Sequence, residues 1–92
     1  MVGFSDITSL LLSIYTKTGV VTFHGPVGKS EWTHYTVRQF QKAVMTADPF
    51  SLKNKAGQGL TVIRGGEAQG TLLGGNLTVL TSMLGSRVPA QF

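Results

Sequence analysis

The strongest constraint on this chain is its abrupt change from a strand pattern to a helix pattern near the N-terminus. Gly3, Phe4, Ser5 and Asp6 run directly into apolar residues spaced three and four apart, which is the period of one helix face. A serine on such a turn stands clear of the backbone, and the next amide can face a developing oxyanion. The pattern therefore predicts Ser5 as a nucleophile and the Asp6 amide as an oxyanion donor.

The same serine also has a simpler interpretation. Serine and aspartate are favoured N-cap residues, so Ser5 or Asp6 could close the first helical turn without any chemistry. The helix itself is expected from Ser5 to Lys17, with Gly19 as its stop. Its apolar face would consist of Ile7, Leu10, Leu11 and Ile14.

A histidine follows the next predicted strand. Val20–Phe23 is a β-branched and aromatic run, and His24-Gly25-Pro26 ends it as a turn. A helix between two strands predicts a parallel pair, whose carboxyl ends meet at one edge of the sheet. His24 is then expected near Ser5, either as the base that activates it or as a donor to a backbone carbonyl in its own turn.

The middle of the chain predicts a helix followed by a loop. Thr36 and Gln39 fit the T-x-x-Q capping box at a helix start, and Asp48-Pro49 is a natural helix end. Residues 51–59 have few large apolar side chains and read as a loop.

The last third predicts two short strands and a helix. Leu60–Arg64 and Gly70–Leu73 have strand composition, and Asn76 is a typical cap for a helix that stops at Gly85. Gly74-Gly75 before that cap would let a ligand approach the backbone closely, and free amides there favour an anion. The alternative is a tight turn with an asparagine cap and no ligand.

Composition excludes several classes of function. There are no cysteines, which excludes disulfide scaffolds and thiol catalysis, and no His/Asp/Glu pair has metal-ligand spacing. The net charge of +4 comes from scattered basic residues, so neither nucleic acid nor a membrane is expected as a partner. Without a signal-type leader, the expected location is cytoplasmic.

The charge content also suggests an incomplete surface. Only 13% of the 92 residues are charged while 41% are hydrophobic. A free-standing small domain usually carries more charge on its surface. We therefore expect apolar surface that faces missing elements or a partner chain, and self-association or a homodimer through it.

Three stretches together resemble the LD-carboxypeptidase family of serine peptidases. They are Val2–Leu10, Thr18–Pro26 and Gly70–Leu77 with the following Leu80 to Gly85, and they occur in the family's order. The family includes muramoyl-tetrapeptide carboxypeptidases and microcin C immunity peptidases. The resemblance implies that this chain is an internal fragment of a longer, two-domain protein.

The resemblance implies a fold class and a division of the chain. The class is α/β: a fragment of a parallel-sheet α/β domain, joined to the start of a mixed α+β second domain. The fragment would consist of a strand and the elbow helix, where the elbow is the strand-to-helix turn at Ser5. Residues 1–30 would be the end of the N-terminal nucleophile domain, and residues 60–92 would be the start of the C-terminal domain. Residues 31–59 would form the loop and helix that connect the two.

The resemblance also assigns the site residues. Ser5 is similar to the family's nucleophile and the Asp6 amide to part of its oxyanion hole, while Gly75, Asn76 and His24 would lie on the substrate side. In the family the catalytic Glu follows soon after the Gly-Gly-Asn-Leu helix and the catalytic His comes later. Both are expected beyond Phe92, so on this resemblance His24 is not the triad base.

The function implied is a serine carboxypeptidase that needs no cofactor and releases a terminal D-amino acid from cell-wall tetrapeptides. Its partner would be that muropeptide substrate, and the 92 residues alone would be inactive. One alternative is a microcin-type peptidase that acts on a peptide-nucleotide, with Trp32 stacking on a base. Another is a non-catalytic interaction module that has kept the shape and lost the chemistry.

Overall fold

The computed structural model describes residues 1–46 and 49–87. Strands and helices alternate in its N-terminal part, which confirms an α/β arrangement. A single turn of 3₁₀-helix at Ser5–Ile7 follows the first strand. The elements are β1 (Val2–Gly3), α1 (Thr8–Thr18), β2 (Phe23–His24), α2 (His34–Val44) and α3 (Leu77–Met83).

The chain forms two compact units. The first unit contains Met1–Trp32 and the segment from Leu73 onward, and the second contains Thr33–Leu72. The division into domains at 1–30, 31–59 and 60–92 stays a prediction. Among the helices of the described part, none has the length and apolar composition needed to cross a membrane.

The two strands of the first unit pair in parallel, as the sequence predicts. Val2 lies opposite Phe23, and Gly3 lies opposite His24. The Gly25 N–H extends this pairing by donating to the Gly3 carbonyl at 2.9 Å. Both strands therefore reach the same edge of the sheet at Gly3 and His24.

The second strand is shorter than its composition predicts. The expected strand over Val20–Phe23 is confirmed only at Phe23, and the observed strand extends one residue further. Val20 and Val21 are both more than half exposed. The reason is the length of β1, because a two-residue strand can hold only two partners in register.

The first helix begins differently from the prediction and ends as expected. The cap position before the 3₁₀ turn belongs to extended Phe4, and no side-chain capping hydrogen bond occurs at the start of the turn or of α1. The prediction that Ser5 or Asp6 caps this helix is therefore wrong. Gly19, at φ +72°, donates to the Tyr15 carbonyl at 2.8 Å and confirms the predicted stop.

The core of the first unit lies where α1 packs against α3 and the two strands. Its buried apolar side chains in the described residues are Leu11 and Leu12 of α1 and Met83 of α3. The face that α1 buries is rotated from the predicted one, because Leu12 is enclosed while Leu10 is half exposed. Thr8 is the one fully enclosed side chain described, and it is polar.

The second unit contains α2, which starts earlier than its predicted capping box. Thr33 is the cap, and its Oγ1 accepts from the Thr36 N–H at 3.2 Å. Placing the helix start at Thr36 was wrong because both threonines can cap, and the structure uses the first one. The helix ends at Val44; the predicted end at Asp48 lies outside the described residues.

The two strands predicted in the last third are absent from the described chain. Residues 60–73 have no regular structure, and Ile63 is 98% exposed. This prediction was wrong because strand composition needs a neighbouring strand to pair with, and within residues 1–46 and 49–87 no strand pairs with this segment. The third helix is confirmed: the Asn76 side chain accepts from the Val79 N–H at 3.1 Å, and α3 ends just before Gly85.

Candidate active site at the strand-to-helix turn

The backbone of Ser5 is the conformational exception of this fold. Among the described residues it is the one non-glycine residue with a positive φ, at +56°. Such a conformation costs about 1–3 kcal/mol and persists only where the surrounding structure enforces it. Serine here is thus held at an unfavourable angle between an extended residue and a helical turn.

Two side chains hold both backbone groups of Ser5. The Ser5 N–H donates to Nε2 of His24 at 3.0 Å. The Ser5 carbonyl accepts from the Thr8 hydroxyl at 2.6 Å. These bonds use the backbone of Ser5, and no capping hydrogen bond at this turn uses its Oγ.

Gly3 is required by close packing beneath this turn. A Cβ on Gly3 would lie 2.3 Å from Cγ2 and 3.0 Å from Cβ of Ile7. Real Cβ atoms do not approach other heavy atoms that closely, so only glycine lets the turn fold back over its own strand. The glycine two positions before Ser5 is therefore part of the elbow's geometry.

His24 lies beside Ser5, as the parallel pairing predicts. An imidazole nitrogen that accepts a hydrogen bond must carry a lone pair, so the bond from Ser5 uses the lone pair of His24 Nε2. Its Nε2 is bound to the Ser5 amide and not to the hydroxyl or to a carbonyl of its own turn. The Phe4 ring lies next to the imidazole, with centroids 5.5 Å apart.

Asp6 presents its amide at the start of the helical turn. The first backbone hydrogen bond of the turn is made one residue later, by the Ile7 N–H to the Phe4 carbonyl at 3.2 Å. Amides before that point have no partner within the turn. The exposed Asp6 carboxylate at this end is favoured by the helix dipole. The hydrogen bonds of the turn therefore do not use the Asp6 amide.

The Gly75-Asn76 turn reaches the base of the same site. The Asn76 N–H donates to the Thr8 hydroxyl at 2.9 Å. A Cβ on Gly75 would lie 2.6 Å from both Oγ1 and Cγ2 of Thr8. The side-chain oxygen of Asn76 accepts the capping bond of α3, and its side-chain NH2 group is a further donor at this turn.

All five residues proposed from the sequence lie in the first unit, but reasoning from the sequence missed Thr8. The hydroxyl of Thr8 connects Ser5 to Asn76. Its only signal in the sequence is a threonine three residues after the serine, at a position that faces the core. That signal does not show what the hydroxyl binds.

Comparison with known proteins gives the context of this geometry. The LD-carboxypeptidase N-terminal domain matches residues 1–25, which contain both strands, the Ser5 turn and α1. No solved structure matches the chain.

Curated relatives extend the match beyond residue 25. "Probable murein peptide carboxypeptidase" of Bacillus subtilis (strain 168) is 38% identical over 88 residues, covering 91% of this chain and 27% of that protein. YocD of the same strain, also named as a carboxypeptidase, is 33% identical over 106 residues, which cover 91% of this chain and 33% of that protein. "Microcin C7 self-immunity protein MccF" of Escherichia coli is 58% identical over 26 residues, which cover 28% of this chain and 8% of that protein.

The matched part is a minor share of each relative. The chain spans between about a quarter and a third of the length of the two Bacillus subtilis proteins. Within that share the match runs along nearly the whole of this chain and includes the strand-to-helix turn that carries Ser5. The chain belongs to the LD-carboxypeptidase family.

Proposed function

We propose that this chain is the nucleophile-bearing part of a serine carboxypeptidase. The bond cleaved would join an L-configured centre to a terminal D-amino acid, as in cell-wall tetrapeptides. The observation that carries the proposal is Ser5 itself: its backbone is held at φ +56° by Thr8 and His24. A serine with no role as a helix cap and an enforced, costly backbone angle is typical of an activated nucleophile.

The proposed reaction is acyl transfer through a covalent intermediate. The Ser5 hydroxyl attacks the carbonyl carbon, and the developing oxyanion accepts a hydrogen bond from the Asp6 amide. The base that takes the Ser5 proton gives it to the leaving nitrogen as the C–N bond breaks, so the D-amino acid leaves as its amine, and water then releases the acyl group from Ser5. Protein groups alone supply this chemistry, so the proposal includes no cofactor.

The base that accepts the Ser5 proton is assigned to another part of a longer protein. Nε2 of His24 already accepts from the Ser5 amide, so it cannot take the hydroxyl proton while that bond exists. We assign His24 to holding the turn beside the substrate, and Gly75 and Asn76 to the substrate side. The catalytic Glu and His of the family would belong to the second domain of that longer protein.

A microcin-type peptidase is the second candidate. The 26 residues shared with MccF are the most nearly identical of the matches reported above, at 58%. Trp32 is partly exposed, and its indole N–H donates to the Val27 carbonyl at 3.2 Å, which fixes the edge of the ring. A ring held by its edge can offer a face to a nucleobase.

A chimera tests the proposed function. In it, this sequence replaces the matched segment of the murein peptide carboxypeptidase relative, and release of D-alanine from a muropeptide tetrapeptide is measured. We expect activity in the chimera and a fall of about 10⁴-fold or more in kcat for Ser5→Ala, since the nucleophile is removed. Ser13→Ala is the matched control, because that hydroxyl bonds only within α1.

The outcomes separate the candidates. Equal activity of the Ser5→Ala and unmodified chimeras would show that Ser5 is not the nucleophile. Cleavage of a peptide-nucleotide in preference to the tetrapeptide would favour the microcin-type reaction. The 92-residue chain alone should release no D-alanine, and serine-dependent release by it would contradict the assignment of the base to another segment.

A further inference from the structure

We propose that Thr8 is a positioning residue, whose hydroxyl fixes the Ser5 turn and the Gly75-Asn76 turn as one unit. The inference concerns the structure of the site, and its consequence for catalysis rests on the proposed function. Thr8 itself contacts no reacting atom in this scheme. It acts through the carbonyl of Ser5 and the amide of Asn76.

The first support is the complete use of a buried hydroxyl. Thr8 has 0% exposure, so water does not compete for its Oγ1. A hydroxyl has one proton to donate, and here that proton goes to the Ser5 carbonyl at 2.6 Å. The oxygen in turn accepts from the Asn76 N–H at 2.9 Å. Because one oxygen makes both bonds, movement of either partner disturbs the other.

The second support is the separation of the partners along the chain. Asn76 lies 68 residues after Thr8, whereas the other threonine hydroxyls of α1 donate to carbonyls three or four residues before them. Such local bonds are common for threonine in helices and do not link elements. Thr8 alone in this helix joins the elbow to a remote segment.

The third support is the shape of the partner turn. Gly75 has φ +149°, and the space that its Cβ would fill is occupied by Oγ1 and Cγ2 of Thr8. Two features thus favour glycine at this position: its positive φ, and the space its Cβ would need, which Thr8 fills. The two atoms of the threonine side chain have separate tasks, since the hydroxyl bonds and the methyl packs.

The consequence is a fixed distance between Ser5 and the turn at Gly75 and Asn76, which is assigned to the substrate side. If Gly75 and Asn76 contact the substrate, Thr8 sets where that substrate lies relative to Ser5. Small displacements of a reacting group lower the rate of the chemical step more than they weaken binding. Loss of the Thr8 hydroxyl should therefore reduce kcat and leave KM close to its original value.

Amide hydrogen exchange in the 92-residue chain tests the proposal without using activity. Thr8→Val keeps the size of the side chain and removes the hydroxyl, whereas Thr8→Ser keeps the hydroxyl and removes the methyl. We expect the Asn76 N–H to exchange about fivefold to tenfold faster in Thr8→Val, since it loses one hydrogen bond. Thr8→Ser should stay close to the unmodified chain.

Thr16→Val is the matched control, because the Thr16 hydroxyl bonds only to carbonyls within α1. It should leave exchange of the Asn76 N–H unchanged. The proposal is overturned if that amide exchanges at the rate of an unstructured peptide in the unmodified chain. It is also overturned if Thr8→Val leaves exchange unchanged, if Thr8→Ser behaves as Thr8→Val does, or if Thr16→Val has an equal effect.

The chimera then separates this inference from the proposed function. Thr8→Val should lower kcat there, and Thr8→Ser should restore it. An inactive unmodified chimera would count against the proposed function while the exchange result stood. An active chimera in which Thr8→Val changed neither kcat nor KM would count against the positioning role.

Discussion

The turn at Ser5 shows how a few residues can hold an unfavourable backbone angle. His24 binds the amide of Ser5, Thr8 binds its carbonyl, and Gly3 leaves room for the chain to fold back. Each of these contacts offsets part of the cost of a positive φ at a residue with a Cβ. The turn is thus specified by two side chains, on β2 and α1, and by the absence of a Cβ at Gly3 on β1.

Gly3→Ala tests the packing beneath the turn. The new Cβ would meet Cγ2 of Ile7 at 2.3 Å, so the strand or the turn must shift. Overpacking of this kind costs about 1–3 kcal/mol in the free energy of unfolding. We expect a lower urea midpoint for Gly3→Ala in the chimera.

Gly28→Ala is the control for this experiment, since no atom lies within 4 Å of the position that its Cβ would take. Its φ lies outside the range in which side chains are strained. It should leave the midpoint nearly unchanged. A midpoint for Gly3→Ala equal to that of Gly28→Ala would mean that the turn relaxes freely and that Gly3 is not required.

At the scale of elements, α3 raises the question of whether Asn76 serves the helix, the substrate or both. Its side-chain oxygen caps the helix by accepting from the Val79 N–H. Asn76→Asp keeps an oxygen in that place and adds a charge that the helix N-terminus favours. Asn76→Ala removes the cap at a cost of about 0.5–2 kcal/mol.

The two variants should therefore have different effects on the start of α3. We expect Asn76→Asp to keep the Cα chemical shifts of residues 77–80, and Asn76→Ala to move them toward coil values. In the chimera, Asn76→Asp should raise KM, because an amide that donates to an anionic substrate group becomes a like charge. An unchanged KM for Asn76→Asp would limit Asn76 to its role as a cap.

The elements also show which features a sequence can predict. The end of α1 at Gly19 and the cap of α3 at Asn76 were predictable because each depends on residues within one turn. The prediction of two strands within residues 60–73 was wrong because a strand needs a pairing partner, and composition does not show whether one exists. Thr8 was missed because its second partner lies 68 residues away.

At the scale of the whole molecule, little apolar surface is enclosed within either unit. The first unit buries Leu11, Leu12 and Met83, while the two valines before β2 remain more than half exposed. In the second unit α2 has no buried residue. Parallel strands are normally covered on both faces, and a two-stranded parallel sheet is too small to provide that cover alone.

We therefore predict that the isolated chain self-associates. Exposed apolar surface is removed from water when copies associate, and the low charge content opposes this only weakly. Sedimentation velocity over a range of concentrations should show dimers or larger species. Replacing Val20 and Val21 together with serine should shift the distribution toward monomer, because both are exposed. Replacing Thr18 with serine is the neutral control. A monomer at every concentration, with cooperative unfolding, would contradict the prediction and favour an autonomous interaction module.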